Sequence, residues 1–311
     1  MLKRTNWLGF VIIHVAFMGL WGALIEIPEK SGFPATLGYI VWALTMVPAA
    51  LVALNNNRWS LDKDKRSVLL GTLAGLLGAA GQLVLFLILK KAPAYLVFPL
   101  LSLTPVVTIL LSVIFLKEKT GLLGWIGIII AFTAILLLSL QPAGGKSLNG
   151  YLWILLSVIP LLAWGTQGFI LRFANETMKA ESIFFYMALT SVLLIPVAWL
   201  MTDFSQQINW GFKGPYLAGM IQILNSFGAL CLVYAFRYGK AIIIAPMTTA
   251  LSPVITVIIS LTIYAVIPHP LIMTGMLLAI TSAVLMGVEE TKAGKAAEKI
   301  SCRKSADEQS D

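Results

Sequence analysis

Ten uninterrupted apolar stretches, each close to the length that crosses a bilayer, constrain this chain more than any other feature. They run over approximately 7–27, 34–54, 68–89, 93–115, 121–140, 151–172, 182–201, 214–236, 241–264 and 270–288. A helix needs about 20 consecutive apolar residues to cross the hydrocarbon core. Only helices and closed barrels can do so, because every backbone polar group must be satisfied internally. The stretches are continuously apolar rather than alternating, which excludes a barrel. The expectation is an all-α membrane protein of ten transmembrane helices. Charge usage agrees, since only 12% of residues are charged where soluble domains carry about 25%.

The net charge of +8 suits loops held in the cytoplasm better than a nucleic-acid partner. No basic patch is interleaved with aromatics. With the N-terminus inside, alternate loops place 17 of the 22 Lys and Arg residues on the cytoplasmic side. That bias puts both termini in the cytoplasm and the protein in the inner or plasma membrane. The N-terminal "MLKRTNWLGFVIIHVAFMGLWG" begins like a signal peptide but lacks a small-residue cleavage site, so it reads as an uncleaved first helix. Cys231 and Cys302 make neither a disulfide framework nor a metal site, and no cofactor is expected. Residues 289–311 are polar and read as a flexible cytoplasmic tail.

The chain repeats. An offset of 148 maps Gly71, Pro105, Thr108, Ser112, Gly127 and Thr133 onto Gly219, Pro253, Thr256, Ser260, Gly275 and Thr281. Nearer the start, an offset of 143 maps Asn6, Trp21 and Gly22 onto Asn149, Trp164 and Gly165. The expected units are therefore 1–146 and 147–288, with five helices each. Five is odd, so the second unit enters the membrane from the opposite face and the halves form an inverted repeat. Secondary transporters are built this way, with the substrate site at the repeat interface and alternating access around it.

Prolines punctuate the fourth and ninth stretches at Pro99, Pro105, Pro246 and Pro253. An interior proline removes one helical hydrogen bond and frees a carbonyl. Ser102, Thr104, Thr249 and Ser252 can satisfy such carbonyls locally. These four prolines are candidate hinge or gating positions, with static kinks as the plainer alternative.

The stretch "LFLILKKAPAYLVFPLLSLTPVVTILLSVIFLKEKTGLLGWIGIIIAFTAILLLSL" resembles the EamA domain of the drug/metabolite transporter superfamily. The resembling elements are the polar break before "APAYLVFPLLSLTPV", the loop "FLKEK" with Glu118, and the Gly-rich "GWIGIIIAF". "YAFRYGKAIIIAPMTTALSPVITVIIS" through "GMLLAITSAVLMG" resembles a second copy. The resemblance implies a central cavity lined by helices three, four, eight and nine, with one and six alongside. Val266 stands where the first copy has Glu118, so the acidic loop residue is not doubled. Glu118 is expected to pair with Lys117 or Lys119 at a helix end.

Polar groups inside membrane segments are expensive and mark candidate functional positions. The candidates for substrate contact are His14, Trp21, Gln82, Trp164, Gln167, Gln222 and Asn225. Gln222 and Asn225 share a helix face at i, i+3, as do Trp164 and Gln167, and Trp21 lies two turns after His14. Each amide can instead tie helices together. His14 is a candidate for proton coupling or for a structural bond to a carbonyl. Glu26 and Glu29 sit beside Pro28 at an interface, and Arg172 and Arg237 end helices. Tyr95, Tyr234 and the other tryptophans read as belt or packing residues.

No HExxH, GxSxG or paired intramembrane carboxylate is present, so an intramembrane enzyme is disfavoured. A set of amides, aromatics and one histidine suits small amphipathic or zwitterionic metabolites such as amino acids, moved by an exporter. Nucleosides, sugars and lipid precursors stay open as alternative solutes. The expected partners are that small-molecule substrate and the lipid bilayer, with the chain a monomer or homodimer.

Overall fold

The computed structural model describes residues 7–89, 101, 104–139, 152–264, 270–271, 273–282, 284–286, 288–289 and 292. Among them all regular structure is helical. The helices are α1 (Trp7–Leu24), α2 (Glu26–Lys30), α3 (Ala35–Asn56), α4 (Lys65–Leu89), α5 (Thr104–Phe115) and α6 (Leu122–Ser139). There follow α7 (Leu152–Ala174), α8 (Ala180–Leu193), α9 (Ile195–Leu200), α10 (Leu217–Tyr238), α11 (Ala241–Tyr264) and α12 (Met273–Met286).

Six segments are long and apolar enough to cross a membrane: Trp7–Lys30, Ala35–Asn56, Lys65–Leu85, Leu155–Ala174, Ala180–Leu200 and Phe212–Tyr238. Shorter apolar helices cover Thr104–Phe115, Leu122–Leu137, Ala241–Thr256 and Met273–Met286. Their outer faces carry exposed Leu69, Leu122, Ile129, Leu155, Leu200 and Leu277. So much apolar surface belongs against lipid tails rather than water. The protein is a multi-pass membrane protein.

The apolar stretch 182–201 is not one smooth helix. Pro196 cannot donate its backbone nitrogen to Val192 and its ring crowds that carbonyl. The chain turns at Leu194, whose carbonyl accepts from Val197 N–H at 3.1 Å, and restarts as α9. A π-helical turn at Phe212–Tyr216, with Pro215 inside it, similarly precedes α10.

The helices of the N-terminal half pack chiefly on those of the C-terminal half. Helix α1 lies against α10 and α11, α3 against α8 and α10, α4 against α7 and α8, and α5 against α7 and α11. Close approach needs glycine at several of these seams, two of which mirror one another. A Cβ on Gly22 of α1 would stand 2.8 Å from Thr256 Oγ1 of α11. A Cβ on Gly168 of α7 would stand 2.9 Å from Thr108 Oγ1 of α5. Each threonine also donates across its seam, Thr256 to the Gly19 carbonyl at 3.0 Å and Thr108 to the Gly165 carbonyl at 2.8 Å. Gly19 and Gly22 thus correspond to Gly165 and Gly168 at an offset of 146, not the 143 suggested by the Trp–Gly identities.

Of the four prolines, Pro105 is buried in α5 and Pro246 in α11, Pro253 lies within α11, and Pro99 falls outside the described residues. Thr104 Oγ1 donates to the Leu101 carbonyl, the one that Pro105 leaves without its helical donor. In α11, Thr248 Oγ1 donates to the Ile244 and Ala245 carbonyls and Ser252 Oγ to the Thr248 carbonyl. The α5 hydroxyl thus replaces the bond its proline removes, whereas the α11 hydroxyls bond carbonyls other than those of Ile242 and Thr249, which Pro246 and Pro253 leave without helical donors.

Candidate substrate cavity

Helices α1, α3, α4 and α10 enclose a cavity lined by Trp21, Tyr39, Trp42, Gln82, Gln222 and Asn225. Its accessible volume is ≈ 20 Å³, room for about one water molecule. A metabolite fits only if these helices move apart.

Two indole–amide bonds cross the cavity wall. Trp21 Nε1 donates to Gln222 Oε1 at 3.0 Å, and Trp42 Nε1 donates to Asn225 Oδ1 at 2.8 Å. Both join the N-terminal half to α10 of the C-terminal half. One turn further along the same seam, Thr45 Oγ1 and Ser226 Oγ lie 2.8 Å apart. Tyr39 turns its hydroxyl away and donates to the Ser191 carbonyl at 3.1 Å. Gln222 is buried at 6% exposure, so its carboxamide must find partners within the protein or from a solute.

The sequence candidates divide into two groups. Trp21, Gln82, Gln222 and Asn225 meet in the cavity. His14, Trp164 and Gln167 sit at helix seams: His14 Nδ1 donates to the Gly228 carbonyl at 2.8 Å, Trp164 Nε1 to the Gly78 carbonyl at 3.2 Å, and Gln167 Nε2 to the Ala74 carbonyl at 2.9 Å. A carbonyl only accepts, so the His14 proton sits on Nδ1.

Trp42 is a cavity residue that the sequence placed among belt or packing residues, Tyr39 is one it did not single out, and α3 is a helix that the resemblance left outside the lining. The signal was present: Tyr39, Trp42 and Thr45 recur at three-residue spacing, which puts them on one helix face. A tryptophan in a membrane helix is ordinarily an interfacial residue, and only its partner on α10 shows otherwise.

Glu118 departs from expectation as well. Lys117 adopts a left-handed backbone, φ 52°, and the following carboxylate turns into the bundle instead of pairing with Lys117 or Lys119. It meets Arg172 at the end of α7 and the backbone N–H of Ile242 at the start of α11. Burial pushes its carboxyl above the ordinary range, opposed by the Ile242 N–H and the Arg172 guanidinium. No group of three or more His, Cys, Asp or Glu residues that could hold a metal occurs among the described residues.

Two segments, 5–140 and 149–288, each match the EamA-like transporter family. The chain belongs to the EamA-like transporter family. It is therefore a membrane transporter built from two copies of the family's unit. Among relatives, an uncharacterized protein MJ1333.1 of Methanocaldococcus jannaschii is 31% identical over 103 residues, covering 33% of this chain and 75% of the relative. An uncharacterized transporter in the cobO 3' region of Sinorhizobium sp. is 29% identical over 136 residues, covering 43% of this chain and 96% of the relative. That relative is about as long as a single EamA unit. A protein of known crystal structure shares the fold with a TM-score of 0.72 at 17% identity, over 92% of this chain and 98% of its own.

Proposed function

We propose that this transporter is a secondary carrier, an exporter that moves small amphipathic or zwitterionic metabolites such as amino acids by alternating access. Its ten spans form two inverted five-helix halves, with both termini in the cytoplasm. The observation that carries the reading is the cavity itself, where Trp21 and Trp42 of one half are bonded to Gln222 and Asn225 of the other. A site shared by two halves opens to either side as the halves rock.

The packing supports a two-fold relation between the halves, because the inter-half contacts come in exchanged pairs, and five helices per half make that relation an inverted one. Helix α1 meets α10 as α7 meets α4, and α1 meets α11 as α7 meets α5. The Gly22–Thr256 and Gly168–Thr108 approaches are one such pair in atomic detail. Labelling by an impermeant thiol reagent tests the orientation, with a cysteine at Ser205 reactive from outside and one at Ser60 protected. His14 is the proposed proton carrier: Nδ1 is spent on Gly228 and Nε2 is left to gain or lose a proton.

Reconstituted vesicles test the function. Gln82→Leu and Asn225→Leu are expected to abolish solute flux while the protein still inserts, and His14→Gln to keep flux but lose its pH dependence. Wild-type flux in both amide variants would remove the cavity from the transport path.

A further inference from the structure

We propose that the cavity is a hydrogen-bond-donating site that recognises the carboxylate of an amphipathic solute; this rests on the transport reading above. An indole N–H can donate and cannot accept. Trp21 therefore fixes Gln222 with Oε1 towards the ring, and Trp42 fixes Asn225 with Oδ1 towards the ring. In each amide the oxygen faces the ring with one lone pair taken, and the nitrogen, with its two hydrogens, is turned the other way. Among the described residues no group accepts from Gln222 Nε2 or Asn225 Nδ2, and the Gln82 carboxamide has no protein partner. The Tyr39 hydroxyl proton is already given to Ser191.

The two fixed amides thus turn donors rather than oxygens away from the indoles. Gln222 and Asn225 lie three residues apart on one face of α10, spacing that brings their amide nitrogens within reach of one planar group. A carboxylate offers two oxygens with about four lone-pair positions and satisfies both amides together. An ammonium group brings donors to donors at these two amides and finds no carboxylate among the described lining residues to neutralise it. The indole rings of Trp21 and Trp42 supply the apolar wall for the body of the solute. Polarity of the amides, set by the tryptophans, is what selects between acid and amine.

Three probes of equal size separate the possibilities: 3-phenylpropionate, 3-phenylpropylamine and 3-phenylpropan-1-ol, titrated against purified protein by quenching of tryptophan fluorescence. The acid is expected to bind at least about tenfold tighter than the amine. Gln222→Glu and Asn225→Asp keep the oxygen that faces the indole and replace the donating nitrogen by oxygen. In both, the preference is expected to invert towards the amine. Gln82→Glu, at a half-buried position with no partner among the described residues, gives the same readout where the more buried variants fail to fold. Equal or tighter binding of the amine by the wild type overturns the proposal, as does an acid-to-amine ratio unchanged in the three acidic variants. Radiolabelled L-phenylalanine flux keeps the two readings apart. Flux lost in Gln82→Leu with an unchanged probe ratio in the acidic variants leaves transport standing and removes the donor assignment. The expected probe ratios without flux above protein-free vesicles keep the donor assignment and remove amino-acid transport.

Discussion

Glu118 and Arg172 join the two halves at one end of the bundle: Glu118 Oε1 accepts from Arg172 Nε at 3.0 Å. The other carboxylate oxygen, Oε2, accepts the Ile242 N–H at 3.1 Å, near the N-terminus of α11, where helical N–H groups lack partners. One buried side chain from the loop after α5 therefore pins the end of α7 and the beginning of α11. Arg172 is itself steadied by Glu176, 3.4 Å away and one turn on. In the proposed orientation this is the cytoplasmic end.

Removing the carboxylate altogether leaves a helix N-terminus without its acceptor and the partly buried Arg172 guanidinium with Glu176 alone. Glu118→Ala is expected to lower stability by about 2–4 kcal/mol, since breaking a buried pair strands the survivor. Glu118→Gln keeps an acceptor for Ile242 and is expected to cost clearly less. Thermal unfolding in detergent reads both, and equal losses in the two variants would show that the Ile242 bond contributes nothing.

The pH dependence follows from the same residue. Burial raises the Glu118 carboxyl above its ordinary range, so the folded state holds this proton more tightly than the unfolded chain. Its contribution to stability is fully present below the ordinary glutamate range and is lost as pH rises through the raised value. The wild type is expected to lose stability relative to Glu118→Gln across that interval and to run parallel to it at higher pH. A wild type that gains stability over Glu118→Gln as pH rises through the carboxylate range would reverse the sign and mean that the Arg172 pairing outweighs burial.

Helix approach at the half-to-half seams gives a compensating pair. Gly22→Ala places a methyl 2.8 Å from Thr256 Oγ1, an overlap that forces α1 from α11 at a cost of about 1–3 kcal/mol. Thr256→Ala removes the nearest two atoms and leaves Cβ at 3.7 Å from the new methyl. The double variant is expected to be more stable than Gly22→Ala alone, despite losing the Thr256 bond to Gly19. Additive losses in unfolding experiments would place the strain elsewhere.

Local signals made the helices legible, because hydropathy over some twenty residues is a property of the segment itself. The break at Pro196 was equally local but was hidden inside an apolar run. Half of the cavity was readable from spacing, as Gln222 and Asn225 three residues apart in an apolar helix already shared a face. Trp42 was not, since its meaning depends on Asn225, a partner 183 residues away in sequence. The repeat offset misled for a related reason: the Trp21–Gly22 and Trp164–Gly165 identities suggested 143, whereas Gly19 and Gly22 align with Gly165 and Gly168 by what they touch. Glu118 lay beside two lysines in sequence, and a left-handed turn at Lys117 sent it to Arg172 instead.

Trp42→Phe isolates the role of the indole N–H in the cavity. Phenylalanine keeps an aromatic wall against Tyr39, whose ring centroid lies 5.3 Å from that of Trp42, and removes only part of the apolar area. The lost hydrogen bond to Asn225 is expected to cost about 1 kcal/mol of stability. The larger effect falls on selectivity. Without the indole, the Asn225 carboxamide is free to turn, presenting oxygen or nitrogen to the cavity at similar cost. The variant is therefore expected to bind 3-phenylpropionate more weakly and 3-phenylpropylamine more tightly than the wild type, narrowing the ratio without inverting it. Trp21→Phe should act in the same direction through Gln222, and the two changes together should exceed either one. An unchanged ratio in a folded Trp42→Phe protein would mean that Asn225 is held by something other than the tryptophan, and the orientation of the amides would need another cause.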